Sequence, residues 1–283
     1  MIWVGGRVVP DDQLIVSVLD RTFEHGLGLF ETLRSWSGRA TLLDRHLSRL
    51  RRSAEELGLP IDPSALPDAE AVALLLRADG VEGDAMLRIT LTGGLSASHG
   101  STLWMRSAPL PPPIREEGAV VALDSWEVAP SNPLARYKTM NYWERRRAFE
   151  EARRADLDEV LSTGPHTCYW EGSRTNLFIV KGVTLMTPCL DGPIVPGIMR
   201  GLVLEHAREL MREVSEVPSL SRVELRGADE VFLTNSVRGI LPVRRAVGGG
   251  PGSAPWDWPA PGPWTQRLWG KVSNWLHRGG TTA

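Results

Sequence analysis

Arg136-Tyr137-Lys138-Thr139-Met140-Asn141-Tyr142 is the stretch on which the reading of this chain turns. It places a lysine where an extended segment meets a helical run, a junction from which a side chain can project into a cleft. Three further segments follow it. They are Glu171-Gly172-Ser173-Arg174-Thr175-Asn176-Leu177-Phe178, Pro196-Gly197-Ile198-Met199-Arg200 and Thr234-Asn235-Ser236. Lysine is the side chain that condenses with carbonyls. Together with a carboxylate and two turns of small residues, it suits an aldehyde cofactor that carries a phosphate.

Pyridoxal 5′-phosphate needs three supports. Its aldehyde needs a lysine, and Lys138 is the candidate. Its ring nitrogen needs a carboxylate if it is to stay protonated and withdraw electrons, and Glu171 is available. Its phosphate needs a cation and N–H donors, best supplied at a helix N-terminus. Gly197-Ile198-Met199 opens a predicted helix, Thr234-Asn235-Ser236 follows a predicted strand, and Arg49 could bring the charge. Each has a plainer role on its own: a Pro-Gly helix start, a turn carboxylate, a solvated helix arginine. On these residues alone, cofactor binding is one reading among several.

Composition sets the outer bounds. The chain has 283 residues, 42% hydrophobic and 23% charged, enough for one or two domains with a sizeable core. A formal net charge of −2 gives no global basic field, so nucleic acid is not an expected partner. The clusters Arg49/Arg51/Arg52 and Arg145/Arg146/Arg147 read as solvated helix faces. Cys168 and Cys189 have no disulfide context and read as free thiols. The histidines show no ligand spacing, so no metal is expected. Neither a signal-peptide core nor an 18-residue apolar run is present, and the expectation is a cytoplasmic protein without a membrane span.

Hydrophobic periodicity gives an α+β (α/β) pattern. Gly5-Gly6 suggests a tight hairpin, and 29–36 and 86–92 read as strands. Asp44 is placed to cap a helix whose apolar stripe is Leu43, Leu47, Leu50, Ala54 and Leu57. After the Pro-rich run 109–113, expected elements are a strand at 119–123, a helix at 141–155, short strands at 159–162, 176–180 and 184–186, a helix at 198–211 and a strand at 230–233. The division expected is an N-terminal α/β domain at 1–108, a linker at 109–118, a second domain at 119–248 and a Trp/Pro/Gly-rich tail at 249–283. The run Gly248-Gly249-Gly250-Pro251-Gly252 reads as a flexible break. Trp264, Leu268, Val272 and Trp275 fall at helical spacing, so a terminal helix with a buried aromatic face is expected.

These motifs, in this order, resemble the fold-type IV (class IV) pyridoxal-phosphate aminotransferases. That group includes branched-chain and D-amino-acid aminotransferases and 4-amino-4-deoxychorismate lyases. The resemblance runs from about Trp3 to about Val243. It also takes in Asp20-Arg21, Gly26 through Arg34, His46-Leu47-Ser48-Arg49-Leu50 and Phe232 through Ser236. It implies a small N-terminal α/β domain and a larger C-terminal pseudo-barrel domain, with the cofactor between them, in a homodimer. By the same resemblance, Lys138 carries the cofactor covalently and moves the substrate proton, Glu171 pairs with the ring nitrogen, and Arg49 binds the phosphate. Ile198 and Met199 offer backbone N–H groups to the phosphate, with Met199 standing where many relatives have threonine. Thr234 is a second phosphate ligand, Tyr142 sits by the ring oxygen, Phe30 is an aromatic wall, and Asn235 and Ser236 lie near the substrate carboxylate.

Within the family, an amino-acid aminotransferase acting on a branched-chain substrate and a keto acid such as 2-oxoglutarate is the leading expectation. No arginine occurs between Arg88 and Arg106, which weakens the D-amino-acid reading. Met199 and the Thr234-Asn235-Ser236 turn are similar to those of deoxychorismate lyases, which keeps 4-aminobenzoate and pyruvate formation as the alternative. A non-catalytic relative is a third reading, opposed by the joint presence of Lys138, Glu171 and Arg49.

Overall fold

The computed structural model describes residues 1–248 and 252–280. The expected break at 248–252 falls largely outside them. The chain divides into two compact units. The first takes Met1–Pro111, Tyr137–Tyr142 and the chain from Trp275 onward, and the second takes Pro112–Arg136 and Trp143–Asn274.

The first unit contains β1 (Ile2–Val4), β2 (Arg7–Val9), a short helix α1 (Arg21–His25), β3 (Gly28–Arg34), α2 (Leu43–Glu56), α3 (Ala69–Ala78), β4 (Met86–Thr92) and β5 (Leu103–Ala108). Its sheet has the order β2-β1-β5-β4-β3 and every pairing is antiparallel. Gly5 and Gly6, both at positive φ, close the β1–β2 hairpin. Strand alternation sends Leu29, Leu33, Leu87, Ile89, Leu91 and Met105 to one face. There they pack with Leu50 and Ala54 of α2 and Val72 and Leu75 of α3. Phe30, Arg88, Trp104 and Arg106 fall on the other face by the same alternation.

Asp44 does not cap α2. Leu42 occupies the N-cap in the left-handed region with no side-chain cap, and Asp44 lies in the first turn, where its charge suits the positive helix end. The buried stripe of α2 is also rotated from the apolar one. It runs through Leu43, His46, Arg49, Leu50, Ser53 and Ala54, while Leu47 and Leu57 are only partly buried. A buried carboxylate on β3, described below, draws the polar pair inward.

The second unit contains β6 (Ala119–Leu123), α4 (Trp143–Arg154), β7 (Glu159–Gly164), β8 (Cys168–Gly172), β9 (Asn176–Lys181), β10 (Thr184–Pro188), α5 (Ile198–Leu210), β11 (Glu213–Val217), β12 (Leu220–Ser221), α6 (Arg222–Arg226), β13 (Glu230–Asn235), β14 (Gly239–Gly248), β15 (Trp256–Asp257) and α7 (Pro263–His277), whose last turn belongs to the first unit. The strand path β9-β13-β14-β6-β7-β8 returns to β9 through the pair Glu171↔Asn176, closing a six-stranded barrel. β14–β6 and β6–β7 are parallel, and the other pairs of the ring are antiparallel. Val121, Leu161, Leu177, Ile179, Val231, Leu233, Leu241 and Val243 form one cluster on alternate positions. Phe178 and Phe232, on the opposite face of β9 and β13, stack with ring centroids 4.9 Å apart.

The terminal helix forms, but its buried seam is aliphatic. Leu268, Val272 and Leu276 are fully buried at successive i, i+4 positions. Each contributes roughly 1.5–3 kcal/mol by burial. Trp264 and Trp275 stay half exposed, because at about 100° per residue both fall together at one edge of that seam; the Trp264 indole N–H donates to the Gly182 carbonyl at 3.1 Å. Glu230 holds the helix start, accepting from the backbone N–H of Trp264 and Thr265, each at 2.8 Å. Cys168 and Cys189 are unpaired. Among the described residues no helix is long and apolar enough to cross a membrane.

Candidate functional site

The lysine segment is built onto the first unit as an added edge of β3. The Phe30 N–H donates to the Lys138 carbonyl and the Met140 N–H to the Gly28 carbonyl, each at 2.9 Å, with Leu29 bridging Thr139. Gly28 makes this approach possible. Its φ is +147°, and a Cβ there would stand 2.8 Å from the Leu91 carbonyl oxygen and 2.7 Å from the Met140 sulfur.

The docking of this segment brings Lys138, Tyr142 and Phe30 together. The Lys138 Nζ lies 4.5 Å from the Phe30 ring centroid and 5.4 Å from that of Tyr142. The two rings meet edge to face at 5.2 Å. Arg88, from β4, sits 3.9 Å over the same Phe30 ring. Sequence reasoning did not select Arg88. The signal was available, since 30 and 88 lie on one face once β3 and β4 pair as Thr32↔Arg88.

Arg49 is buried rather than solvated, at 7% exposure. Its Nε donates to Glu31 Oε1 at 2.7 Å and its Nη2 to Oε2 at 2.5 Å, a two-pronged pair. His46 reaches Glu31 Oε2 through Nδ1 at 2.7 Å. Since an ionised carboxylate only accepts, Nδ1 carries the proton, and the buried Nε2 has no hydrogen-bond partner among the described residues. Burial by itself would raise the Glu31 pKa. The Arg49 charge and the hydrogen bonds from Arg49 and His46 outweigh it and bring the pKa down to about 2. Burial lowers the His46 pKa, and the Lys138 charge adds slightly to that.

In the second unit, strand register aligns three polar residues in one row. Glu171 on β8 faces Asn176 on β9, and Asn176 faces Thr234 on β13. Glu171 is 2% exposed and densely held. Its Oε1 accepts from Arg145 Nη2 at 2.5 Å, and its Oε2 from Asn176 Nδ2 at 3.2 Å and the Val195 N–H at 3.1 Å. The Glu171 backbone exchanges hydrogen bonds with the Ser162 hydroxyl. Glu159 fixes the following turn, accepting from the N–H groups of Ser173 and Arg174 and from the hydroxyls of Ser173 and Thr175. Asn176 and Arg145 are additions to the residues singled out from sequence. Asn176 lies within the segment 171–178, whereas Arg145 belongs to an arginine run whose pattern reads as a solvated helix face.

The helix α5 packs beside β13 and begins next to this row. Gly197 is its N-cap and has no side chain to cap it, so among the described residues the first-turn N–H groups at Ile198 and Met199 have no side-chain acceptor. A Cβ at Gly197 would run into the Asn176 side-chain oxygen. Thr234 is 1% exposed, and its hydroxyl has no hydrogen-bond partner among the described residues. A buried, unsatisfied hydroxyl in the same unit as an uncapped helix start is a combination that fits an oxyanion such as phosphate. The Asn235 side-chain oxygen is taken up locally, accepting from the N–H groups of Val237 and Arg238, and Ser236 lies half-buried in that turn.

The family model for Amino-transferase class IV matches residues 28–246. The chain belongs to the class IV aminotransferase family. It is an enzyme of that family. A protein of Methanocaldococcus jannaschii, provisionally named a branched-chain-amino-acid aminotransferase, is 31% identical to this family member over 252 residues, covering 86% of each chain. The aminodeoxychorismate lyase of Bacillus subtilis is 29% identical over 257 residues, covering 86% of this chain and 85% of its own. The branched-chain aminotransferase of Thermoproteus uzoniensis, solved with norvaline, superposes with a TM-score of 0.84 at 28% identity, covering 98% of this chain and 95% of that one. Enzymes of this family work with pyridoxal 5′-phosphate, and the polar atoms around Thr234 and α5 fit the phosphate such a cofactor carries.

Proposed function

We propose that this class IV enzyme is a pyridoxal-phosphate-dependent amino-acid aminotransferase that exchanges an amino group between a branched-chain amino acid and a 2-keto acid such as 2-oxoglutarate. The observation that carries this reading is the grouping of the Lys138 amine with the Phe30 and Tyr142 rings and the Arg88 guanidinium. An amine beside an apolar wall and a cation matches a substrate with an apolar side chain and a carboxylate. When bound, the cofactor supplies an aldehyde and an electron-withdrawing ring. Lys138 would hold that aldehyde, and its amine would serve as the general base for the Cα proton. Glu171 would pair with the ring nitrogen and Tyr142 with the ring oxygen. The N–H groups of Ile198 and Met199 and the Thr234 hydroxyl would hold the phosphate, and Arg49, whose fork is kept in place by Glu31, would supply charge. Asn235 and Ser236 lie on the substrate-carboxylate side.

A homodimer in the cytoplasm completes the proposal. Support for the dimer comes from the exposed Ile15, Val18, Leu19 and Phe23, an apolar run that a second copy would cover. One observation favours the lyase as a second reading: the first turn of α5 carries Met199, a buried side chain with no hydroxyl to offer a phosphate. The test is to incubate the holoenzyme with L-leucine plus 2-oxoglutarate and, separately, with aminodeoxychorismate. Glutamate and 4-methyl-2-oxopentanoate are the expected products of the first. Pyruvate and 4-aminobenzoate from the second alone would replace the aminotransferase with the lyase. Lys138→Ala is expected to abolish both the visible absorption of the holoenzyme and its turnover, and a protein that takes up no cofactor would overturn both readings.

A further inference from the structure

Three consecutive arginines open α4, and only the first is inside. Arg146 and Arg147 are exposed and pair with Glu150 and Glu151 one turn on. Arg145 is 8% exposed. Its guanidinium is fixed on several sides. Nη2 donates to Glu171 Oε1 at 2.5 Å and to the Ala135 carbonyl at 3.0 Å, Nη1 donates to the Ser173 carbonyl at 3.4 Å, and its Cζ stands 5.3 Å from the Trp126 ring centroid. A buried guanidinium this constrained cannot swing away from the carboxylate it neutralises.

We propose that Arg145 is a positioning residue that reduces the protonation of the cofactor's ring nitrogen. This rests on the reading that Glu171 faces that nitrogen. A lone buried carboxylate favours a protonated ring, because the two charges cancel. With Arg145 beside Glu171, the charges already cancel, and a proton on the ring leaves one net positive charge in a buried place. Within its unit Glu171 faces Arg145 from α4 and, across Ser173, Glu159 from β7. Glu159 is turned to the 173–175 turn by four hydrogen bonds. Asn176, Ser162 and the Val195 N–H are neutral. Arg145 is the cation bonded directly to the Glu171 carboxylate within this unit. Its consequence for the reaction is a ring nitrogen that is protonated over a narrower pH range, so that the electron withdrawal the ring supplies falls off sooner as pH rises.

The test uses holoenzyme loaded with cofactor labelled with nitrogen-15 in the ring, whose resonance separates protonated from unprotonated nitrogen directly. Arg145→Gln, which keeps an amide donor but not the charge, is expected to move the titration midpoint upward from that of the wild type by about 1–2 pH units. Arg145→Lys, which keeps the charge, holds the midpoint near that of the wild type. An unshifted midpoint in Arg145→Gln overturns the proposal. If Arg145→Gln does not fold, the wild-type titration decides: a ring that stays protonated up to the alkaline limit of the protein's stability overturns it equally. Failure to take up the cofactor would instead overturn the functional reading and this inference with it.

Discussion

Replacing Glu31 by glutamine removes one charge from the interior of the first unit and little else, so its cost can be worked from the structure. Glu31 is 1% exposed between Leu29 and Leu33 on the core side of β3 and is held by Arg49 and His46. Its pKa stands at about 2 against an ordinary 4.5. That difference corresponds to about 3 kcal/mol of stability at neutral pH, and removing one partner of a buried pair costs about 3–5 kcal/mol in general. The folded-state pKa is depressed, so the contribution is complete above about pH 4.5 and is lost as pH falls through about 2. His46 acts in the same direction: buried neutral, it contributes above its ordinary 6.5 and less as acid protonates the unfolded chain. Hydrogen exchange followed on peptides spanning 28–34 and 43–56 reads the local opening of β3 and α2. At pH 7 Glu31→Gln is expected to lower protection there by about a hundredfold or more. Urea unfolding from pH 5 downward should show a shallower acid loss in the variant than in the wild type. Protection within about threefold of wild type, with an unchanged acid slope, would refute the claim that this pair holds α2 on the sheet.

Two further substitutions test the site without relying on turnover. Thr234→Val removes a buried hydroxyl that has no partner among the described residues, so the cofactor-free protein should melt at the same temperature or slightly higher. The same change should weaken binding of pyridoxal phosphate by about tenfold while leaving binding of unphosphorylated pyridoxal unchanged. Equal loss for both ligands would show that Thr234 does not serve the phosphate. Gly28→Ala places a methyl group against the Leu91 carbonyl at positive φ and should cost about 2 kcal/mol or more, seen as a lower melting temperature and as loosened exchange protection at 137–142.

Much of the site was legible because its parts are local. A lysine at a strand-to-helix junction, a Gly-capped helix start and a Thr-Asn-Ser turn are each contained within a few residues. Their order along the chain carried the resemblance to class IV enzymes. The strands expected at 86–92 and 119–123 match the observed elements residue for residue: the first begins with alternating burial, and the second is an unbroken apolar run buried at every position. The reading of the arginines was poorer for the same reason. Arg145, Arg146 and Arg147 are chemically identical in a linear text, yet a helix turns by about 100° per residue. Only Arg145 joins Ala148 and Ala152 on the buried stripe.

The sequence by itself determined the chemical inventory and the secondary structure that presents it. Tertiary structure decided the pairings, since these join residues far apart in the chain. Glu31 meets Arg49 and His46 only because α2 packs on β3, and that burial turned an expected solvent-facing arginine into one half of an interior ion pair. Glu171, Asn176 and Thr234 form a row only because β8, β9 and β13 pair in one register as the barrel closes. The lysine segment lies along β3 because Gly28 leaves room for it. Spacing along a chain cannot specify such contacts. They depend on helix rotation, strand register and the exclusion of water from charges that must then find one another.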